Sequence, residues 1–413
     1  MKQLKRLAVA GMALSIWHMP ALAQETIEER LANMEQRIQY LEERVSVQDE
    51  EIIKRDLQIA KLMEHGVQTE HEDGWFNSVQ VSGLVEVEAA YEDPYEGDST
   101  SDAVLAKMEL GVTAQVTNWV GAEVVLLHEE DETDIEVDVA TMTIGPQEGP
   151  WSFTAGQYFV PFGTFESNFI SDPMTLELGE TRESALQFSF ESNGFHTALF
   201  AFNGDNNEDG EDRFESFGAA LGYATEREDS AFAVNLSYIS DIGDSDNLQD
   251  AIADGLAAGP DGEIEDDDAT NNDETADNDA DYDSHVSGWS TSAMLRIGSL
   301  SLLAEYLGAS EDFEAHELEF DGEGAEPTSF MVEAAYDFDV AGRPATVAVG
   351  YQETDEALAL ELPEERLMLG FSVEMMDGVA LAVEGALDDD YSEKDGGTGE
   401  DARIVTLQLA TEF

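Results

Sequence analysis

Most side chains in this sequence that could do chemistry are carboxylates, and their spacing suggests different uses. The first is metal binding. Asp205-Asn206-Asn207-Glu208-Asp209-Gly210 places oxygen ligands at alternate positions ahead of a glycine, as the first half of a calcium loop does. Asp205, Asn207 and Asp209 are therefore candidate Ca²⁺ ligands. The twelfth position would be Ser216 where a bidentate Glu is needed, and a solvated surface loop accounts for the same run. The stretch 261–283 holds twelve acids in 23 residues with no base, which fits a mobile surface segment able to gather divalent cations. Calcium at such loops is the one cofactor the residues suggest.

The second use is electrostatic. Glu86, Glu88, Glu109, Glu123, Glu136, Asp138, Glu305, Glu333, Asp337, Glu374, Glu384 and Glu412 fall on the polar phase of alternating segments, with Lys107, Arg296 and Arg366 as bases on that phase. Lining a water-filled wall, such an excess would favour cations or solutes with basic or polar groups. In a salt-adapted acidic protein the same charges would only solvate the wall, and charge alone does not separate the two readings.

The third use is steric. The link 159–183 carries four Phe, two Pro and Arg182, and is too apolar for a freely solvated excursion. Folded into an enclosed channel it would narrow the path, with Phe159, Phe162, Phe165, Glu166, Arg182 and Glu183 as the residues a solute meets. Packing on a rim or a neighbouring subunit is the alternative. Enzymatic chemistry finds no support: Gly-x-Ser-x-Gly, His-Glu-x-x-His and phosphate-binding glycine motifs are missing, and the seven His are scattered. No nucleic-acid partner is expected of a chain with net charge -74.

The elements that would position these residues follow from periodicity. From Trp75 onward the period is two: Val79, Val81, Val85 and Val87 alternate with Gln80, Ser82, Glu86 and Glu88. Sixteen such segments run from 78–91 to 403–412. Tight links at Thr117-Asn118, Ser192-Asn193-Gly194, Gly298-Ser299 and Met376-Asp377-Gly378 contrast with long ones at 159–183, 203–213, 241–285, 309–327 and 388–402. Short turns on one side and long loops on the other predict an all-β transmembrane antiparallel β-barrel of about 16 strands, wide enough for an aqueous channel. Aromatic residues near strand ends, including Tyr91, Trp119, Trp151, Tyr238 and Trp289, fit the two interface girdles of such a barrel. Val405, Leu407, Leu409 and Phe413 share one face of the last segment, and its closing Phe resembles the assembly signal of outer-membrane barrels.

Ahead of the barrel lie two other parts. Lys2, Lys5 and Arg6, the apolar run Leu7 to Ile16 and Ala21-Leu22-Ala23 form a signal-peptide pattern over 1–23. Over 24–65, Leu31, Ile38, Val45, Ile52 and Ile59 at one seam position and Met34 and Leu41 at the other predict an N-terminal α-helical coiled coil, placed in the periplasm, followed by a polar linker at 66–74. Such a seam wants a partner chain. Its residues lean toward two strands, whereas porins commonly form trimers; a homo-oligomer is expected and a trimer weakly favoured. The barrel proper is 75–413. With 92 acidic against 18 basic side chains, disorder would be the first thought, but 42% hydrophobic content leaves ample apolar surface.

The run Gly156-Gln157-Tyr158-Phe159-Val160-Pro161-Phe162-Gly163, its continuation to Leu178-Gly179-Glu180-Thr181, the Trp75-to-Val87 strand and the coiled coil together resemble the LbtU family of siderophore porins. The resemblance covers essentially the chain beyond residue 23, and the Phe/Pro loop is its most specific part. It implies an outer-membrane, porin-like protein among outer-membrane lipids that serves uptake of a ferric siderophore or similar small solute. It identifies no individual binding residue. Carboxylate siderophores are often anionic, and an acidic lumen would repel them unless the complex is neutral, cationic or shielded. A general cation-preferring nutrient porin, or an envelope tether acting through the coiled coil, are the alternatives.

Overall fold

Alternation decides the architecture because a strand turns successive side chains to opposite sides, so one apolar set can face lipid while the polar set faces water. The computed structural model describes residues 77–130, 133–147, 149–204, 214, 216–227, 229–258, 282 and 284–413. The expected signal peptide, coiled coil and linker, the Asp205, Asn207 and Asp209 run, and nearly all of the acidic stretch 261–283 lie outside the described residues.

Sixteen strands close on themselves: β1 (Ser78–Asp93), β2 (Thr100–Thr117), β3 (Val120–Glu129), β4 (Thr133–Ile144), β5 (Trp151–Phe159), β6 (Arg182–Ser192), β7 (Phe195–Phe202), β8 (Ser216–Arg227), β9 (Ser230–Ile239), β10 (Gly288–Ile297), β11 (Leu300–Ala309), β14 (Thr328–Val340), β15 (Arg343–Asp355), β16 (Glu365–Met376), β17 (Val379–Asp389) and β18 (Asp401–Glu412). Every neighbouring pair is antiparallel, and β1 against β18 makes the closure, with Leu84 opposite Glu412 and Val87 opposite Leu409. Closure leaves no unpaired edge, which is what allows strands to stand in hydrocarbon. No helix among the described residues is long and apolar enough to cross a membrane.

The outward face is a continuous apolar belt. Val81, Val112, Val124, Leu199, Leu221, Leu236, Leu302, Val349, Leu369, Val383 and Leu407 all stand exposed on it. Aromatic pairs gather near its two margins: Trp119 with Trp151 and Phe195 with Tyr223 at the short-turn end, Tyr238 with Trp289 at the other. Links at the first end are tight. Asn193 and Gly194 (φ 53° and 82°), and Ala341 and Gly342 (φ 55° and 80°), take the left-handed conformation twice running, which matches the twist of a two-residue hairpin.

The other end carries the long links, and three differ from the sequence expectation. The ladder of β5 and β6 continues through Tyr158 opposite Glu183 and Phe159 opposite Arg182, so the loop proper is 160–181 and these three predicted loop residues belong to strands. This loop contains a short helix, α1 (Met174–Gly179). The 241–285 link, expected as an acidic loop, contains helix α2 (Asp246–Ala258), whose Leu248 and Ile252 are fully buried. The 309–327 link holds a small hairpin of β12 (Glu319–Phe320) and β13 (Glu323–Gly324).

The apolar core lies at this end, off the barrel's midline. Val160, Phe162 and Leu178 from the 160–181 loop, Ile242, Leu248 and Ile252 from the 240–287 link, and Phe313 and Leu318 from the 310–327 link pack on Phe200, Phe202, Ile239 and Leu307 of the wall. Gly156 sits where β5 leads toward this cluster. Its φ of 140° suits only glycine, and a Cβ there would lie 2.0 Å from the Ala140 carbonyl oxygen. Gly156→Ala should destabilise the folded barrel by about 2–3 kcal/mol, read as a lower urea midpoint in detergent; an unchanged midpoint would show that the strand relaxes without cost.

Candidate functional site

A loop that enters an aqueous lumen must find partners for its backbone N–H groups as well as cover for its apolar side chains. The 160–181 loop finds both on the inner wall. Glu305 on β11, Glu333 on β14 and Glu384 on β17 each end on loop donors. Glu305 accepts Thr164 N–H (2.7 Å), Phe165 N–H (3.0 Å) and the Thr175 hydroxyl (3.2 Å). Glu333 accepts Asn168 N–H (3.2 Å), the Ser167 hydroxyl (3.1 Å) and the Asn168 side-chain amide. Glu384 accepts Ser171 N–H (3.3 Å) and its hydroxyl (2.6 Å), along with Ile170 N–H. Gln352 on β15 accepts Met174 N–H (2.7 Å), and the Ser237 hydroxyl accepts Gly163 N–H (3.2 Å). All three carboxylates are at most 4% exposed, and such burial is tolerable only because each charge meets several donors.

Apolar seats complete the anchoring. Phe162 is 1% exposed, within the cluster under α2, so it secures the loop and offers no surface to a solute. Phe165 takes φ 55° and lays its ring over Gly163. Phe169 lies flat on the wall: a Cβ at Gly350 or Gly370 would come within 2.5 and 3.0 Å of its ring. Phe159 was expected in the constriction, but the alternation that turns Tyr158 toward the buried cluster turns Phe159 away from it, and its ring is exposed. Glu166 stands exposed on the inserted loop and Glu183 is buried at the start of β6. Of the six path candidates, then, Phe162 and Phe165 come together with the core, Glu166 remains open, and Phe159, Arg182 and Glu183 lie on the wall ladder.

The expected lumen charges divide in the same manner. Glu86, Glu88, Lys107 and Glu109 share the inner side of β1 and β2, where Lys107 bridges Glu129 (2.9 Å) and Glu109 (3.4 Å), and Gln408 donates to Glu88 (2.9 Å). Arg182 is held between Glu136 and Asp138. Arg366 grips Asp388 through two contacts of 2.8 Å. Arg296 pairs with Glu226 near the short-turn end. Glu333 is an anchor of the loop, so its charge is spent locally. Each of these four bases is therefore neutralised by carboxylates, and Glu86, Glu88, Glu166 and the loop residue Asp172 stand beyond those pairs.

Phe169 and Gln352 are not among the residues the sequence singles out, and neither is the anchoring role of Glu305 and Glu384. One signal was available. Gly350 and Gly370 occupy lumen positions of adjacent strands and are near neighbours across the ladder, where Ala348 faces Gly370 and Gly350 faces Met368, and such a gap calls for an inserted ring.

No family model matches the chain. It is 26% identical over 331 residues to a UPF0422 protein of Coxiella burnetii, covering 78% of this chain and 66% of that one. A UPF0422 protein of Legionella pneumophila strain Lens is 28% identical over 365 residues, covering 81% and 66%. The chain thus spans a little under two thirds of the length of these relatives. Among solved structures it is similar to an anion-selective porin from Comamonas acidovorans (TM-score 0.53, 13% identity, 81% of this chain and 99% of that one). The outer membrane channel DcaP of Acinetobacter baumannii is equally similar (TM-score 0.53, 13% identity, 81% and 97%), and Salmonella typhi OmpF in complex with daunomycin matches with TM-score 0.52 at 12% identity (82% and 98%). The fold is that of the outer-membrane porins.

Two outcomes follow from the anchors. Glu305→Ala leaves three loop donors without their acceptor and should cost about 3 kcal/mol, with faster proteolysis within 160–181; unchanged cleavage would show that the apolar seats suffice. Glu180 lies on the same loop, and burial together with the Asp246 and Asp172 carboxylates pushes its side chain up to about 8 from an ordinary 4.5, with Lys107 opposing. Because the folded state holds this proton more tightly, the contribution is complete below about pH 4.5 and is lost as pH rises through about 8. Glu180→Gln should match the native chain in urea midpoint at pH 4.5 and exceed it at pH 8.5; equal midpoints at both would refute the assignment.

Proposed function

We propose that this protein is an outer-membrane channel through which small solutes pass passively, with a preference for cations. The observation that carries the reading is the 160–181 loop tied across a closed sixteen-strand lumen by three buried glutamates. A barrel of this size is water-filled unless something occupies it, and a loop held this firmly narrows the path without sealing it. Selectivity follows from the residual charge. Lys107, Arg182, Arg296 and Arg366 are each taken up in ion pairs. Carboxylates such as Glu86, Glu88, Glu166 and Asp172 then set the sign of the field along the path.

Within this reading, the likeness of the 156–181 run to the LbtU siderophore porins makes a ferric siderophore the solute to try first. The excess of carboxylates favours a neutral or cationic complex over an anionic one. Assembly as a trimer, with residues 24–65 in the periplasm, belongs to the same proposal.

Purified protein in planar bilayers under a KCl gradient should give a reversal potential of the sign for K⁺ preference, reduced by Glu86→Gln combined with Glu88→Gln. Correctly folded barrels that do not conduct would end the channel reading, and anion preference would end the charge argument. A strain lacking the gene should lose uptake of labelled ferric siderophore; intact uptake would leave a general cation-preferring porin.

A further inference from the structure

The lumen is not uniform around its circumference. Carboxylates and bases crowd β1 to β4 and β14 to β17, whereas the inner side of β5 to β9 toward the short turns carries mainly amides, hydroxyls and small residues, with His196, Glu191 and the Glu226 that pairs with Arg296 of β10 as its titratable groups. There, below the inserted loop, a cavity of about 630 Å³ opens between Gly163 and Thr164 above and the 145–150 turn at its other end. That volume falls within the range of small-molecule sites, roughly 300–1,000 Å³. Among its described lining residues Glu191 is the one carboxylate, and none is Lys or Arg.

Its polar groups are held in place. His196 Nε2 donates to the Asn235 side-chain oxygen (2.8 Å), an orientation set by the Asn235 amide donating to the Ser292 hydroxyl (3.1 Å). This pair lies flat over Gly222, where a Cβ would come within 2.1 Å of the His196 ring and 2.3 Å of the Asn235 oxygen. Ser292 in turn meets Thr164, which binds Glu305 (3.1 Å), so the upper end of the cavity is continuous with the loop anchor. On the neighbouring wall the Gln187 amide donates to the Ser189 hydroxyl (2.7 Å). Counting hydrogen-bonding capacity, the Gln187 carbonyl oxygen, the second Asn235 amide hydrogen and the Ser237 hydroxyl hydrogen are left for a guest.

We propose that this cavity is a binding subsite for an uncharged, polyhydroxylated solute of sugar size. The chemistry selects the class. An anion would find no Lys or Arg there, and the one imidazole, His196, is engaged with Asn235, while a cation is better served by the carboxylate-rich wall opposite. Hydroxyl groups both donate and accept, and so match a lining that presents amides and hydroxyls at fixed positions. The subsite rests on the channel reading only for its access from both sides of the membrane; binding itself does not depend on current.

The test uses sucrose as the probe, in two measurements on the full chain. In bilayers, millimolar sucrose should interrupt the ion current in a saturable manner, beyond the viscosity effect given by a polyethylene glycol of similar size. In detergent, saturation-transfer NMR should show sucrose protons in contact with the protein. Gln187→Ala combined with Asn235→Ala should weaken both by about tenfold, the loss expected for two hydrogen bonds between neutral groups, in barrels whose heat-modifiable gel migration shows normal assembly. Saturation transfer without current would uphold the subsite while the channel reading fails. Current that sucrose leaves untouched, together with no saturation transfer, would overturn the subsite and spare the channel. Binding indifferent to the two substitutions would overturn its location.

Discussion

The arrangement depends on carboxylates that point inward from the wall and end on the backbone of an inserted loop. Neutral acceptors could satisfy the same N–H groups, but a carboxylate accepts several donors at once and binds each about twice as strongly. Glu305 and Glu333 stand on the adjacent strands β11 and β14, and Glu384 stands on β17 beyond β15 and β16, so the loop is held at successive points along its length. The dependence is mutual. Without the loop, three glutamates on one part of the wall would face water and repel one another; with it, each is buried and paired.

From this one device comes the asymmetry of the lumen. The loop and its anchors fill the side of β11 to β17 toward the long links, and the apolar cluster beneath α2 fills the side of β7 to β11 at the same end. Open volume therefore survives below the loop along β5 to β9, while β1 to β4 carry the ion-paired Lys107 and the remaining carboxylates. One stretch of wall is acidic and the other neutral. A solute thus meets a charged and an uncharged surface across the same passage, a division produced by which strands carry Glu on their inward phase and which carry Gln, Ser, Asn and Gly.

Much of the barrel was legible in the sequence because its signals are local. Alternation of Val with polar residues in β1, or of Leu367, Leu369 and Phe371 with their neighbours in β16, needs no distant partner to be read, and the Asn193-Gly194 and Asp377-Gly378 turns punctuate it. The ends of β5 and β6 were harder: Phe159 and Arg182 pair with each other across a 22-residue loop, 160–181, whose composition drowns the alternation. Helix α2 was hidden for a related reason. Leu248, Ile252 and Leu256 recur at helical spacing, but the acidic run that follows invited reading the whole link as solvated.

The site was legible in parity and illegible in pairing. Alternation placed Glu333 on the inward phase as readily as Glu86, and nothing near either residue in the chain tells them apart, since the partners of Glu333 are Ser167 and Asn168, more than 160 positions away. A count of inward acids therefore overstates the field a solute meets. Glu305, Glu333 and Glu384 belong to the loop's support, Glu109, Glu129, Glu136, Asp138 and Asp388 to ion pairs, and only what stands outside those contacts acts on the passage as free charge. Acidity in this barrel is first a means of fastening the loop, and its effect on selectivity is set by the carboxylates that fastening leaves over.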